Sequence, residues 1–295
     1  MVTIFKSKDK TFVVKEWDTV TCPFCKSSKY VEFEKFGRDN LYTYVKCKGC
    51  NLIYLNPRPL YDEEFINIAY EEYDTESYFY TSKGELNAAE QKIYLDHKLI
   101  LEQMESCLGR KGTLLEIGCM TGLFLKAAKD SGWKVTGVDI SKKMIEHIKN
   151  NLGIEAYAAQ YETLAFRKKF DVIYCSHVIE HIPNPNEWFT KFKKDLAVDG
   201  LICVNIPNQY SFDRIIKRFI HKYVIDRRTW DNWRTPDHLY EPTISAMNYI
   251  IKEHGLRAID YFTYSSKNVV PNKGFSCIYH RVFKLGSKLR YFIKM

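Results

Sequence analysis

Two C-x-x-C pairs, Cys22-Pro-Phe-Cys25 and Cys47-Lys-Gly-Cys50, stand 21 residues apart. Four thiolates on two such knuckles make a tetrahedral zinc site, and with every position taken by protein the metal is structural. The other readings of these thiols are a reduced, solvent-facing set or a redox dithiol, although no thioredoxin-like βαβ context surrounds them. A second group is HVIEH at 177–181, which sets His177, Glu180 and His181 close together. At helical spacing His177 and His181 share one face. Neutral imidazole takes a proton from a hydroxyl near pH 7. A third group is the stretch EIGCMTG, Glu116 to Gly122, followed by Asp139, 21 residues after Gly118. A glycine turn between strand and helix admits a ligand close to the backbone, and an acid at that distance accepts hydrogen bonds from ribose hydroxyls.

The glycines run G-x-x-x-G, with Met120 where a pyrophosphate loop carries its middle glycine. The loop therefore asks for a ribose without asking for phosphates. S-adenosylmethionine (SAM) has that character. The reading requires the Met120 side chain to point away from the ligand.

These groups need a frame. From Thr113 the chain alternates apolar strand-like runs with helical ones: TLLEIG, GLFLKAAKDSG, WKVTGVD, KKMIEHIKNNLG, IEAYAA, FDVIYCS, NEWFTKFKKDLA, GLICVNIP, TISAMNYIIKEHG and LRAIDYFTY. FSCIYHRVFKL is expected as a final strand. Strands separated by helices predict an α/β fold with a parallel sheet and crossover helices. Residues 86–108 carry apolar residues at helical spacing and predict a long helix. Residues 11–56, rich in Val, Tyr and Phe, predict short hairpins around the cysteines. At 295 residues and 45% hydrophobic, the chain can bury one large domain and a small one. The N-terminus has no signal-like apolar region and no run reaches membrane-spanning length, so a cytoplasmic location is expected. In a reducing compartment paired cysteines favour metal over disulfides.

The segment LLEIGCMTGLFLKAAKDSGWKVTGVDIS resembles the first two motifs of the class I SAM-dependent methyltransferases, whose loop is typically E/D-x-G-x-G-x-G. FDVIYCSHVIEHIPNP and HLYEPTISAMNYIIKEHGL resemble the branch that holds ubiquinone-pathway O-methyltransferases and small-molecule and glycan methyltransferases. The segment through GCNLIYLNPRPLYDEEF resembles the zinc-ribbon cap of some bacterial methyltransferases of sugar and secondary-metabolite pathways. The resemblance implies a Rossmann-like seven-stranded sheet, mostly parallel with the last strand antiparallel, preceded by a small β-rich zinc ribbon. The expected organisation is a zinc ribbon at 1–60, a helical lid and linker at 61–110, and the methyltransferase domain at 111–295 with an insertion at 207–236.

Carried onto this chain, the resemblance implies that Gly118, Cys119 and Gly122 bring backbone to the methionine part of SAM. Glu116 orients the loop and the ammonium. Asp139 holds the ribose and Ile140 packs on adenine. Gln160, with Tyr161, stands where relatives bind the adenine amino group. Ser176 ends the fourth strand beside the cofactor. Tyr73, Tyr78 and Tyr80 form a lid over the pocket or, equally, pack an amphipathic helix. His177 is the first choice for general base and His181 the second. Some RNA 3'-end and quinone-pathway relatives hold a divalent cation with E-x-x-E-H and a distant histidine. Here H-x-x-E-H and His238 stand in those places, which favours Zn, Mn or Fe over Mg. Base, second divalent metal and orienting roles all remain open for Glu180 and the histidines.

No N/D-P-P-Y-type motif follows the fourth strand, so the leading expectation is O-methylation of a small molecule, sugar or glycan- or lipid-linked precursor. The alternative is RNA methylation through the ribbon and the insertion. The insertion carries seven Lys/Arg against three Asp, and the chain has a net charge of +8. It reads as an acceptor lid or as a surface or dimer contact. Together with KLGSKLRYFIKM at 284–295 it suggests a peripheral contact with an anionic membrane. Oligomeric state is not readable.

Overall fold

The computed structural model describes residues 3–6, 11–14, 16–36, 42–60, 86–223, 238–266, 269–271 and 274–295. The aromatic stretch with Tyr73, Tyr78 and Tyr80, and Trp230 and Trp233 of the insertion, lie outside the described residues.

Short strands open the chain: β1 (Thr3–Lys6), β2 (Thr11–Val14), β3 (Trp17–Asp18), β4 (Tyr30–Phe36), β5 (Tyr42–Cys47), β6 (Ile53–Leu55) and β7 (Arg58–Pro59). Then come α1 (Ala88–Leu108), β8 (Thr113–Ile117), α2 (Leu123–Asp130), β9 (Lys134–Asp139), α3 (Lys142–His147) and β10 (Glu155–Ala158). The chain continues through β11 (Phe170–Ser176), α4 (Pro185–Asp195), β12 (Leu196–Pro207), α5 (Phe212–Tyr223), β13 (Tyr240–Glu241) and α6 (Ile244–Glu253). It ends with β14 (Arg257–Tyr264), the short α7 (Gly274–Cys277) running into a π-turn at Ile278–Val282, and β15 (Lys288–Lys294).

Seven strands form the main sheet in the order β10-β9-β8-β11-β12-β15-β14. The five from β10 to β12 are parallel, and β15 runs antiparallel between β12 and β14. This is the expected α/β methyltransferase sheet, with its last strand reversed. Both faces are covered, so the strands read as continuous apolar runs. In β11, Val172 and Tyr174 meet α1 and α2, while Ile173 and Cys175 meet α4 and α6.

The final strand differs from the expectation. FSCIYHRVFKL is largely helical and leaves Ile278 and Val282 exposed, whereas the supposed basic tail forms β15. Leu289, Tyr291 and Ile293 bury on one face and Phe292 on the other. Burial on both faces outweighs the β-branched and aromatic composition of the earlier segment. Arg290, in the middle of β15, is fully buried. Its guanidinium donates to Asn205 Oδ1 (2.9 Å), Gln103 Oε1 (2.8 Å) and Val269 O (3.0 Å), and stacks over Tyr264.

Helix α1, assigned to lid and linker from sequence, is built into the sheet layer. Asn87 and Glu90 form a reciprocal capping box at its start and Gly109 closes it in the left-handed region. Tyr94, Ile100, Leu101 and Met104 pack with Phe124 of α2 and the sheet.

The cysteine-bearing strands are not separate either. The sheet β13-β6-β5-β4 takes its edge strand from residues 240–241, far along the chain. One hydrophobic cluster runs from Cys22, Phe24, Leu52 and Tyr54 into the main sheet.

His97 of α1 stands edge-on to Phe124 with its Nδ1 buried and without a hydrogen bond among the described residues. Burial pushes its pKa down from 6.5 to about 4. The folded state thus holds the ring neutral, and the unfolded chain binds the proton first as pH falls. Stability should be full above about pH 6.5 and fall by roughly 3 kcal/mol between there and pH 4. Thermal melts across that window check this: His97→Phe should flatten the pH dependence, and an unchanged slope would contradict it.

Candidate active site

The carboxyl ends of β8, β9 and β11 surround a cavity of about 340 Å³. A pocket at the strand ends of an open α/β sheet is where such folds bind ligands.

The loop after β8 makes its floor. Gly118 has φ +74° and Gly122 φ +76°, which only glycine adopts without strain. A Cβ on Gly118 would overlap Val178, and one on Gly122 would lie 2.7 Å from Ile148 Cγ1. Both glycines are thus demanded by protein packing behind the loop as well as by its turn. Gly118 borders the cavity; Gly122 does not.

Cys119 does not serve the cavity as expected. It is buried in a cluster with Leu125, Ile145 and Ile148, and its N–H donates to Val138 O. Glu116 is buried and absent from the cavity lining, and its Oε2 makes no hydrogen bond among the described residues. Burial and the nearby Asp139 charge push its pKa well up, against the pull of the Leu125 N–H in the first turn of α2.

Met120 borders the cavity with a left-handed backbone (φ 42°), and the residue is 42% exposed. Its N–H donates to Asp139 Oδ2 at 2.8 Å, and the Ser141 N–H donates to Asp139 Oδ1 at 2.9 Å. Asp139 therefore ties the loop after β8 to the start of α3, whose N-cap is Ser141. Each carboxylate oxygen keeps a second lone pair for a ligand hydroxyl.

Ile140, Gln160, Tyr161 and Ser176 all border the cavity. Ile140 is 37% exposed and offers an apolar face. The Tyr161 hydroxyl is committed to Asp195 Oδ2 at 2.8 Å, so only its ring serves the cavity. Ser176 Oγ accepts from Asn205 Nδ2 at 3.1 Å, which links the cavity wall to Arg290. Met144 and Trp188 also border the cavity and carried no motif; Trp188 is fixed by its Nε1–H on Glu162 Oε2 at 3.1 Å.

The HVIEH residues do not form one helix face. His177 takes a left-handed backbone (φ 58°) at the end of β11, and a 3-10 turn follows at Ile179–His181. The His177 N–H donates to Asn205 O at 2.9 Å, which holds this turn against β12. His177, His181 and His238 border the cavity; Glu180 is completely buried beneath them. Glu180 Oε1 lies 3.2 Å from His177 Nδ1. Burial works to raise the Glu180 pKa, but the His177 hydrogen bond and the charges of His181, His177 and His238 outweigh it and hold it below the ordinary value. An ionised carboxylate only accepts, so His177 carries a proton on Nδ1, and whenever the ring is neutral its lone pair lies on Nε2. That Nε2 is buried and has no hydrogen bond among the described residues.

His238 repeats the arrangement. Its Nδ1 lies 3.3 Å from Oε1 of Glu241, another fully buried carboxylate, which also receives Arg214. The rings of His181 and His238 meet edge to face at 4.6 Å. Ligand atoms of Glu180, His181 and His238 lie within 4.8 Å of one another. The ribbon fixes His238 from outside: Tyr44 Oη donates to His238 O at 2.6 Å, and Leu55 N to Leu239 O at 2.8 Å.

The four cysteines of the C-x-x-C pairs also converge, their sulfurs all within 4.8 Å. Cys22 and Cys50 are 3.5 Å apart, Cys25 and Cys47 3.4 Å. A tetrahedral zinc with bonds of about 2.3 Å needs sulfurs roughly 3.8 Å apart. Both knuckles end alike, with a left-handed residue after the second cysteine, Lys26 or Asn51, whose N–H returns to the first cysteine's carbonyl. The Gly49 N–H donates to Cys47 Sγ, and a Cβ on Gly49 would press to 3.1 Å from Cys25 Sγ. The donor set and this crowding fit zinc.

A family model described as "Methyltransferase domain" matches residues 88–261. The chain belongs to this family, and it is a SAM-dependent methyltransferase. It is similar to the ubiquinone biosynthesis O-methyltransferase of Rickettsia prowazekii, 26% identical over 59% of this chain and 74% of that one. That of Pelagibacter ubique is 28% identical over 52% of this chain and 75% of that one. Among solved structures, magnesium protoporphyrin IX methyltransferase from Synechocystis with bound S-adenosylhomocysteine (SAH) aligns with TM-score 0.51 at 14% identity, over 79% of this chain and 99% of that one. Plantazolicin methyltransferase with SAH aligns with TM-score 0.50, also at 14% identity, over 75% and 93% of the two chains.

Gly122→Ala should destabilise the fold by about 2 kcal/mol or more, because left-handed backbone and the Ile148 contact act together. Asp139→Ala should weaken SAH binding at least about tenfold, since it removes a ligand acceptor and loosens the loop. Denaturant melts and calorimetric titration check the two. A wild-type-like melt for Gly122→Ala would contradict the packing account, and unchanged SAH affinity for Asp139→Ala the role of that carboxylate.

Proposed function

We propose that this SAM-dependent methyltransferase transfers its methyl group to a hydroxyl of a small molecule, sugar or glycan- or lipid-linked precursor, with His177 as the general base. The observation that carries this is the His177–Glu180 pair at the cavity: Nδ1 is held on a buried carboxylate, and Nε2 makes no hydrogen bond among the described residues. Such a pair fixes the imidazole tautomer and stabilises the imidazolium that forms. SAM supplies an electrophilic methyl on its sulfonium. Asp139 accepts the ribose hydroxyls, Ile140 packs on adenine, and Gln160 meets the adenine amino group. Glu116, from behind Gly118, orients the loop and the ammonium. His177 Nε2 takes the acceptor hydroxyl's proton as the oxygen attacks the methyl in line with sulfur. Similarity to ubiquinone biosynthesis O-methyltransferases supports an oxygen acceptor. Glu180 acts through His177 and is a positioning residue.

A second reading rests on the Glu180–His181–His238 cluster. Those donors suit a divalent cation, which would polarise an acceptor oxygen. The four ribbon cysteines hold a structural zinc in either case.

Labelled SAM incubated with fractionated cell extract identifies the acceptor class. Label should enter small molecules, glycans or lipids, and label in RNA would replace this reading. His177→Ala should slow transfer by about 10² to 10⁴ with SAH affinity unchanged; an undiminished rate would remove His177 from the chemistry. Metal analysis should give one zinc per chain, lost in Cys47→Ser. A second metal, lost in His238→Ala, would favour the cation reading.

A further inference from the structure

The two cysteine knuckles hold different parts of the histidine half of the cavity. The first, Cys22–Cys25, meets the start of α4. Asn186 Nδ2 donates to both Pro23 O (2.5 Å) and Phe24 O (3.2 Å). Asn186 Oδ1 lies 3.0 Å from His254 Nε2. An amide oxygen only accepts, so His254 donates there and turns the amide nitrogen onto the knuckle. Between His181 and Asn186, the Pro183 carbonyl accepts from Arg58 Nη1 at 3.2 Å, and Pro183 borders the cavity.

The second knuckle, Cys47–Cys50, meets the start of α6. Thr243 Oγ1 donates to Asn51 O (3.1 Å), and Asn51 Nδ2 donates to Ser245 Oγ (3.2 Å). Asn51 is the left-handed residue that closes this knuckle. Just upstream of Thr243, Tyr44 and Leu55 hold the backbone at His238 and Leu239.

These ties form a ring. It runs from the first knuckle through Asn186 to the 179–181 turn and crosses where Leu239 N donates to Glu180 O. It returns through Thr243 and Asn51 to the second knuckle. The two knuckles meet at the four sulfurs, all within 4.8 Å. His181 and His238 stand on opposite arcs, and their rings meet at 4.6 Å. The cofactor half lies outside the ring. Among the described residues, no hydrogen bond runs from residues 16–60 to the loops after β8 and β9.

We propose that a zinc on the four cysteines staples the histidine half together through Asn186 and Asn51, holding His181 against His238 while leaving the cofactor half alone. Each tie is a hydrogen bond worth only about 1 kcal/mol net. A β-rich segment of this size takes much of its order from bound metal, so the knuckles are firm anchors only when the metal joins them. Slack there passes within a few residues to both histidines. The inference rests on the structural zinc and the histidine chemistry proposed above. For that methyl transfer Asn186 is a positioning residue, since a misplacement of about 1 Å in such a site costs up to about a hundredfold in rate.

NMR of the full-length protein carrying isotope-labelled histidine tests this, with the His181 and His238 ring signals assigned from His181→Ala and His238→Ala. Cys47→Ser removes the ribbon zinc without touching the histidine donors. It should shift or broaden both signals, leave the His97 signal in place, and keep SAH affinity within about twofold of wild type. Asn186→Ala, with zinc retained, should move the same two signals and slow methyl transfer by about tenfold or more at unchanged SAH affinity. Asn186→Asp should match it, because a carboxylate keeps the His254 bond but cannot donate to the two carbonyls. His181 and His238 signals that stay fixed in Asn186→Ala would overturn the proposal, whatever the acceptor proves to be. So would loss of SAH binding along with the zinc, which would make the metal a support of the whole fold. Moved signals with an undiminished rate would uphold the staple and overturn the histidine chemistry instead.

Discussion

A carboxylate with no exposed surface sits at the centre of this molecule. Glu180 cannot be buried as an ion without partners, because the desolvation cost of a lone charge exceeds what folding has to spare. Its partners come from two distant parts of the chain: His177 and His181 from its own turn, and His238 from beyond the insertion. To bring His238 there, residues 238–241 must run beside the 179–181 turn, where Leu239 N donates to Glu180 O. The next two residues become the edge strand of the ribbon sheet. The small sheet of the cysteine-bearing strands and the parallel sheet thus meet beside one buried charge and its histidines.

The cavity is built in two halves with different tolerances. The half on β8 and β9 is backbone geometry: two left-handed glycines, a strained Met120 and the Asp139 carboxylate that ties them. The half on β11 and His238 is side-chain chemistry, in which His177 and His238 are each oriented by a buried glutamate. Behind both, the Arg290–Asn205 pair braces Ser176, while Asn205 also receives the His177 N–H through its backbone carbonyl. Position is set by rigid strands, and the reactive groups stand on the turns that leave them.

Much of this was legible in the sequence because its signals are local. The strand–helix alternation, the glycine loop with Asp139, and the cysteine spacing each follow from short-range rules. What escaped was decided by tertiary contact. FSCIYHRVFKL has strand composition yet folds helical, since KLRYFIK fills the slot between β12 and β14. Arg290 and Asn205 meet only through strand register. Tyr240 and Glu241 complete the ribbon sheet by pairing with strand β6, far from them in sequence. Cys119 and Gly122 were assigned to the ligand from loop position, whereas packing turns them toward α3 and the turn that follows it. Met120 faced a choice that sequence cannot make, and it borders the cavity.

The central claim is that buried Glu180 orients His177 for methyl transfer without serving the cofactor half of the cavity. The most direct measurement compares Glu180→Gln with wild type for SAH affinity by calorimetry and for the initial rate of methyl transfer to the labelled acceptor fraction. The account predicts affinity within about twofold of wild type and a rate lower by about a hundredfold. An unchanged rate, or loss of SAH binding in parallel with the rate, would contradict it.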